Sequence, residues 1–180
     1  AVYLAADTLQ PRALERDGFA VRGTRFVYAI GKLVLWSADP QRIGPDGRAA
    51  LAAAGVRHLA IANPKLAVYG AAAVEVLRRL GLWDALQPRL VQGENLSQAL
   101  QFVESGNAQL GFVSLSQVRD PRLAGKGSVW LLPADLSPPI LQEAVLTQAG
   151  ASQPGAAALL AFLRGPEALE VIERFGYGRP

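Results

Sequence analysis

The chain has 180 residues and a net charge of +3, with 51% apolar and 18% charged residues. These proportions exclude a disordered chain, and the length suits either one large domain or two small lobes. The absence of cysteine excludes disulfides, thiolate metal sites and a cysteine nucleophile, and the scattered lysines and arginines lack the basic run with interleaved aromatic residues that is typical of nucleic-acid binding.

The first part of the chain predicts a strand, a helix and a long extended segment. The strand covers Val2–Ala6, and Asp7 and Thr8 then offer an N-cap for a helix over Leu9–Asp17. The stretch Arg25–Ser37 is rich in β-branched and aromatic residues and predicts one extended strand. This length is unusual for one strand in a compact domain, so we expect the segment to connect two lobes.

Helical and extended segments alternate in the rest of the chain. The predicted helices are Arg48–Ala54, Tyr69–Leu80, Asn95–Ser105, Pro154–Leu163 and Pro166–Phe175, and the predicted strands are Val56–Ala62, Leu90–Val91, Leu110–Leu115, Ser128–Leu132 and Ile140–Thr147. This alternation predicts an α/β fold with a largely parallel sheet. Ligands of such sheets bind at the carboxyl ends of the strands.

Three loops follow predicted strands and are the candidate binding segments: Asn63–Tyr69, Gln92–Leu96 and Ser114–Gln117. The first of them leads directly into a helix. A strand, a tight loop and a helix in this order direct backbone N–H groups and a helix N-terminus at one point, which favours an anion. This loop contains no carboxylate, imidazole or thiol, so it indicates binding of an anion rather than conversion of a substrate.

The second loop repeats the arrangement, because Asn95 is a plausible N-cap that leaves the N–H groups of Leu96 and Ser97 among the unpaired donors of the first helical turn. The hydroxyl of Ser114 lies at an equivalent strand end. His58, the only histidine, has no recognisable serine or aspartate partner near it. The chain also lacks HExxH, Walker, GxGxxG and CxxC motifs, so no catalytic residue is predicted.

Several separate motifs carry a family likeness. They are Val2–Asp7, Tyr28–Ser37, Ala62–Gly70, Leu80–Asp84, Leu110–Ser114 and Phe162–Ala168. In these motifs, and in their order and spacing over essentially the whole chain, the sequence resembles the periplasmic molybdate-binding proteins of molybdate ABC transporters, which are type II periplasmic binding proteins.

The resemblance implies two α/β lobes joined by two crossing strands, here near Val27–Lys32 and Pro138–Val145, with the oxyanion in the cleft. Lobe one would comprise residues 1–28 and 140–180, and lobe two residues 29–139. It also implies a periplasmic protein without catalysis or cofactor, whose partners are molybdate or tungstate and a membrane permease.

The ligand residues are also implied by the resemblance. The family holds its oxyanion with neutral donors, and the matching positions are Tyr69 and Leu96, through their backbone N–H groups. Ser114 occupies a position where some members place a tyrosine hydroxyl and others a small residue, so it is the third candidate. No metal ligand is implied, because molybdate is bound as an oxyanion.

Members of this family begin with a strand, a helix and a second strand before the segment that matches Val2–Asp7. The resemblance therefore implies an incomplete first lobe. We expect either that the chain is a fragment of a longer protein or that a second copy covers the exposed surface, as a dimer or by a swapped contact. In either case the first-lobe ligands are missing, and we expect weak binding of molybdate or none.

Two other hypotheses remain open at the level of sequence. The first is a related type II binding domain, including regulatory sensors, that takes sulfate, phosphate or an organic acid. The second is an enzyme with the same two-lobed fold, such as a hydroxymethylbilane synthase-like transferase. The second is disfavoured because those enzymes attach a cofactor through cysteine, which this chain lacks.

Overall fold

The computed structural model describes residues 1–180. Contacts between residues divide the chain into two compact units: unit 1 comprises Ala1–Lys32 and Pro139–Pro180, and unit 2 comprises Leu33–Pro138. The chain therefore passes from one unit to the other twice. Each helix is too short or too polar to cross a lipid bilayer. The lobe bounds inferred from the family likeness stay a prediction.

The secondary structure alternates between strands and helices, as the sequence predicts. The strands are β1 (Val2–Ala5), β2 (Phe26–Gly31), β3 (Leu33–Ser37), β4 (Leu59–Ala62), β5 (Leu90–Gly93), β6 (Leu110–Ser114), β7 (Ser128–Leu131) and β8 (Ile140–Leu146). The helices are α1 (Leu9–Arg16), α2 (Gly47–Ala52), α3 (Val68–Arg79), α4 (Trp83–Leu86), α5 (Leu96–Glu104), α6 (Leu115–Val118), α7 (Pro154–Leu163) and α8 (Pro166–Arg174). Two 3₁₀ helices cover Gln87–Arg89 and Gln148–Gly150.

Unit 1 is built on a three-stranded antiparallel sheet with the order β1-β8-β2. The central strand β8 pairs with both others, for example Leu146 with Val2 and Ala144 with Phe26. Helix α7 packs Ala156 and Leu160 against β8 and supplies the core of this unit. At the start of α1, Asp7 is the effective cap, because its Oδ1 accepts hydrogen bonds from the N–H groups two and three residues later.

Unit 2 is built on a five-stranded mixed sheet with the order β5-β4-β6-β3-β7. All residues of β3, β4 and β6 are buried. Helix α5 covers β4, β5 and β6 and buries Ala99, Leu100 and Val103 against them. The apolar runs of these strands thus form the core of the unit, since burial on both faces removes the polar alternation of a half-exposed strand.

The prediction of a largely parallel sheet is correct only for β4, β5 and β6, which pair in parallel. Strand β3 is antiparallel to both β6 and β7, and the sheet of unit 1 is antiparallel throughout. The reason lies in the pairing. The neighbours of β3 are β6 and β7, which lie far along the chain, so the local alternation of strands and helices does not fix its direction.

The prediction of one continuous strand over Arg25–Ser37 is wrong. The segment is divided at Lys32 into β2, which pairs with β8 in unit 1, and β3, which pairs with β6 and β7 in unit 2. Each half therefore obtains its hydrogen bonds from a different sheet. The other elements differ from the prediction by a few residues at their ends, because terminal turns fray and no longer follow the regular geometry.

Candidate functional site

The carboxyl ends of β4, β5 and β6 lie along one edge of the sheet in unit 2. Ala62 at the end of β4 is in register with Gly93 at the end of β5, and β6 runs parallel to β4 on its other side. Just beyond the strands, the N–H of Asn63 donates a hydrogen bond of 2.7 Å to the carbonyl oxygen of Gly93. The structure thus brings the three predicted loops together at this edge, where α/β sheets bind ligands.

The loop after β4 is a tight turn organised by Asn63. Its side-chain Oδ1 accepts a hydrogen bond from the N–H of Lys65 at 3.0 Å, and its carbonyl oxygen accepts hydrogen bonds from the N–H groups of Leu66 and Ala67. Helix α3 begins immediately afterwards. Its first turn lies directly on the end of β4, because a Cβ at Gly70 would collide with the carbonyl oxygen of Ala62.

Tyr69 is the second residue of α3 and is buried, with 6% of its surface exposed. N–H groups in a first helical turn have no carbonyl partner within the helix, and the aligned peptide dipoles make this end positive. The charged residues of α3 do not oppose this polarity. The helix has no acidic residue in its first turn, and Arg78 and Arg79 lie in its last turn.

The loop after β5 is capped as the sequence predicts. The side-chain Oδ1 of Asn95 accepts a hydrogen bond from the N–H of Gln98 at 3.0 Å, and the Oε1 of Gln98 accepts one from the N–H of Glu94 at 2.6 Å. This exchange leaves the N–H groups of Leu96 and Ser97 without an acceptor in the chain. The first turn of α5 therefore presents two donors at the edge of the sheet.

Ser114 is the last residue of β6 and is buried, with 3% exposed. It forms a reciprocal capping box with Gln117 at the start of α6. Its Oγ accepts a hydrogen bond from the N–H of Gln117, lies 3.2 Å from the Oε1 of that side chain and 3.0 Å from the Oγ of Ser116. The hydroxyl is thus already engaged within its own loop.

The capping box is not among the features predicted from the sequence. The predicted strand runs through Leu115, whereas Leu115 is the first residue of α6. The spacing of Ser114 and Gln117 is the S-x-x-Q signature of a capping box, and this signal could have located the start of the helix.

The side chains of the three loops carry little net charge. Lys65 and Glu94 are both exposed and have opposite charges. No group of three or more histidine, cysteine, aspartate or glutamate residues is placed to hold a metal ion. His58 lies immediately before β4, at the end of the strand opposite to the loops, and its Nδ1 is 3.1 Å from the carbonyl oxygen of Asn107. Any anion at this edge would depend on backbone and hydroxyl dipoles.

The family model of bacterial extracellular solute-binding proteins matches residues 1–178. The chain belongs to this family. Among related solute-binding proteins, the molybdate-binding protein ModA of Azotobacter vinelandii is 53% identical over 98% of this chain and 70% of its own length. ModA of Rhodobacter capsulatus is 49% identical over 98% of this chain and 68% of its own length.

A solved structure agrees with these relatives. The periplasmic molybdate-binding protein of Azotobacter vinelandii superposes with a TM-score of 0.91 and 43% identity, over 99% of this chain and 78% of the other. The likeness inferred from the separate motifs is confirmed, and so is the α/β fold of the periplasmic binding proteins. These comparisons do not test which residues contact a ligand, so Tyr69, Leu96 and Ser114 stay predictions.

Proposed function

We propose that this solute-binding protein captures molybdate, or the similar tungstate, for an ABC importer. The observation that carries the proposal is the edge of the sheet in unit 2, where parallel strands β4 and β5 end in register and lead into the N-termini of α3 and α5. Two relatives of about half identity over nearly the whole chain bear the name molybdate-binding protein. They favour molybdate over sulfate, phosphate or an organic acid.

Neutral dipoles are sufficient for such a ligand. An oxyanion with two negative charges can exchange its hydration shell for several N–H and O–H groups without meeting a full positive charge. Hydrogen bonds to a charged acceptor are worth about 1.5–3 kcal/mol each, roughly twice as much as neutral ones. Each fixed donor of unit 2 therefore adds to the affinity, although the first-lobe donors expected from the family likeness are missing from this chain.

The proposed donors of unit 2 are the N–H groups of Tyr69 and Leu96 and the hydroxyl of Ser114. The hydroxyl has one hydrogen, which is within reach of the Oε1 of Gln117. That oxygen also accepts a hydrogen bond from the N–H of Ser114 at 3.1 Å. The hydroxyl of Ser114 can therefore rotate to donate its hydrogen to an anion, while the Oε1 of Gln117 still accepts the hydrogen bond from the N–H of Ser114. Ligand binding then replaces the hydroxyl–Gln117 hydrogen bond by a stronger one to a charged acceptor.

We propose a periplasmic location, a membrane permease as the recipient of the anion, and binding without chemical conversion. The three candidate loops support binding without conversion, because their only charged residues are Lys65 and Glu94, and both are exposed. The dimer or swapped contact expected from the sequence stays a prediction.

Thermal unfolding in the presence of different oxyanions tests the proposal. A ligand that binds only the folded chain adds RT ln(1 + [L]/Kd) to the free energy of unfolding and so raises the melting temperature. We expect molybdate and tungstate to raise the melting temperature more than sulfate or phosphate at equal concentration, because fixed donors select an anion by size. Shifts that are measurable but equal for all four anions, or a larger shift with sulfate or phosphate, would contradict the proposal.

A further inference from the structure

A cluster of arginines in unit 1 surrounds an open surface cavity of about 430 Å³. The cavity is lined by Arg12, Glu15, Arg16, Arg22 and Arg25. These residues come from α1 and from the loop between α1 and β2. The volume is more than ten times the roughly 30 Å³ that one water molecule occupies in the liquid, so the cavity is larger than a hydration site.

Glu15 holds the loop in place. Its Oε1 accepts a hydrogen bond from the N–H of Gly23 at 2.8 Å, and its Oε2 accepts one from the Nε of Arg25 at 3.1 Å. These bonds lower the pKa of Glu15. Arg25 also donates a hydrogen bond of 2.8 Å to Glu143, whose side chain is buried. Arg25 is thus occupied by two carboxylates of its own unit.

The other arginines differ in how they are paired. Arg16 donates two hydrogen bonds to the neighbouring Asp17. Arg12 and Arg22 are exposed and form no ion pair or side-chain hydrogen bond with the rest of the chain. Two guanidinium groups beside one cavity therefore remain available to an external acceptor, and guanidinium is the group best suited to bidentate contact with carboxylates.

The composition of the cavity wall indicates the size of its occupant. Small-molecule pockets enclose most of the ligand, whereas this cavity is open to solvent. This wall consists of charged side chains, and Arg12, Arg16 and Arg22 are exposed. In the same loop, Phe19 has 66% of its surface exposed. Phenylalanine and arginine are both enriched in protein–protein interfaces.

We propose that this arginine cavity binds an acidic segment of a protein partner, with Arg12 and Arg22 contacting two of its carboxylates. The proposal is independent of molybdate capture, since the proposed oxyanion donors of this chain lie in unit 2. Neither residue makes a bond that folding requires, so the pair can be changed without loss of the fold.

Binding of a fluorescein-labelled hexaglutamate peptide, followed by fluorescence anisotropy, tests the proposal. The double variant Arg12→Gln and Arg22→Gln should weaken binding by about tenfold, since each exposed guanidinium–carboxylate pair contributes modestly. The matched control is Arg48→Gln with Arg57→Gln, which removes the same charge from two exposed arginines of unit 2. The control should change the affinity by less than about twofold.

Several results would overturn the proposal. The proposal fails if the peptide does not bind or if both double variants lose the same affinity. It also fails if inorganic phosphate competes at the concentration of the peptide. Finally, it fails if Arg12 and Arg22 are needed for binding to phosphatidylglycerol vesicles but not for binding to the peptide. Melting temperatures with molybdate, measured on the same variants, keep this test separate from that of the proposed function. Those shifts should match the unaltered chain.

Discussion

Gly70 packs so closely on Ala62 that a single additional carbon would not fit. A Cβ at position 70 would overlap the carbonyl oxygen of Ala62, and the carbonyl carbon would be only 2.8 Å away. A similar close contact occurs at the end of the neighbouring strand β5, where a Cβ at Gly93 would lie 2.7 Å from the backbone nitrogen of Ala99. Glycine at these two positions lets the first turns of α3 and α5 lie directly on the edge of the sheet.

Replacement of either glycine should therefore destabilise the chain. We expect Gly70→Ala and Gly93→Ala to lower the free energy of unfolding by about 1–3 kcal/mol, because backbone must move to make room. Gly155→Ala is the matched control, since its Cβ would meet nothing within 4 Å inside helix α7 and should stabilise by about 0.5–1 kcal/mol. Urea denaturation measures all three. Equal stability of the position 70 and 155 variants would disprove the close approach.

The N–H of Leu96 can be removed with little disturbance of the helix. Leu96→Pro places proline at the first position of α5, where its missing N–H and fixed φ are tolerated, and the preceding Asn95 is extended, as proline requires. We expect a loss of molybdate affinity of about tenfold to a hundredfold, which corresponds to one charge-assisted hydrogen bond. Leu96→Ala is the control, because it removes the same side chain and keeps the N–H. Isothermal titration should show a weaker effect for alanine; similar affinities for both variants would exclude this donor.

Ser114 has a structural role and a proposed binding role that two variants separate. Ser114→Ala removes the cap of α6 and should lower the free energy of unfolding by about 1 kcal/mol. It should also weaken molybdate binding, because the proposed hydroxyl donor is lost. Ser116→Ala removes the neighbouring hydroxyl, which is 3.0 Å from the Oγ of Ser114, and should leave binding unchanged. If Ser114→Ala reduced stability but not affinity, Ser114 would be a cap alone.

The hydrogen bonds to Glu15 should make part of the stability dependent on pH. Donation by Gly23 and Arg25 lowers the pKa of this carboxyl below its ordinary value of 4.5. The ionised form is therefore favoured more in the folded chain than in the unfolded one. Its stabilising contribution is fully present above pH 4.5 and is lost as the pH falls through the lower pKa of the folded state.

We expect Glu15→Gln to reduce the loss of stability on acidification below about pH 4.5, measured as the melting temperature across a pH series. Some acid sensitivity should remain, because the pKa values of Asp17, Asp120 and Glu173 are also lowered by neighbouring arginines. Glu170→Gln removes an exposed carboxylate without an ion pair in the structure and should follow the unaltered chain. Parallel curves for all three proteins would contradict the assigned role of Glu15.

The sequence predicted those features that depend on a few neighbouring residues. The sequence predicts Asn95 as a cap because an asparagine side chain accepts hydrogen bonds from the N–H groups that follow it, and the structure confirms this bond. The break at Gly165 and Pro166 separates α7 from α8 as predicted. The alternation of strands and helices and the family motifs were sufficient for the fold, which the superposition on the Azotobacter protein confirms.

Pairing between distant segments was decided only by the tertiary structure. In the sequence, Lys32 lies within one continuous apolar segment. The segment is divided there because β2 pairs with β8 and β3 pairs with β6. The direction of β3 likewise follows from its pairing of Leu33 with Ser114, far along the chain. Local propensity favours a helix or a strand for a segment. The neighbours and the direction of a strand depend on hydrogen bonds to residues far away in the sequence, which the local sequence does not specify.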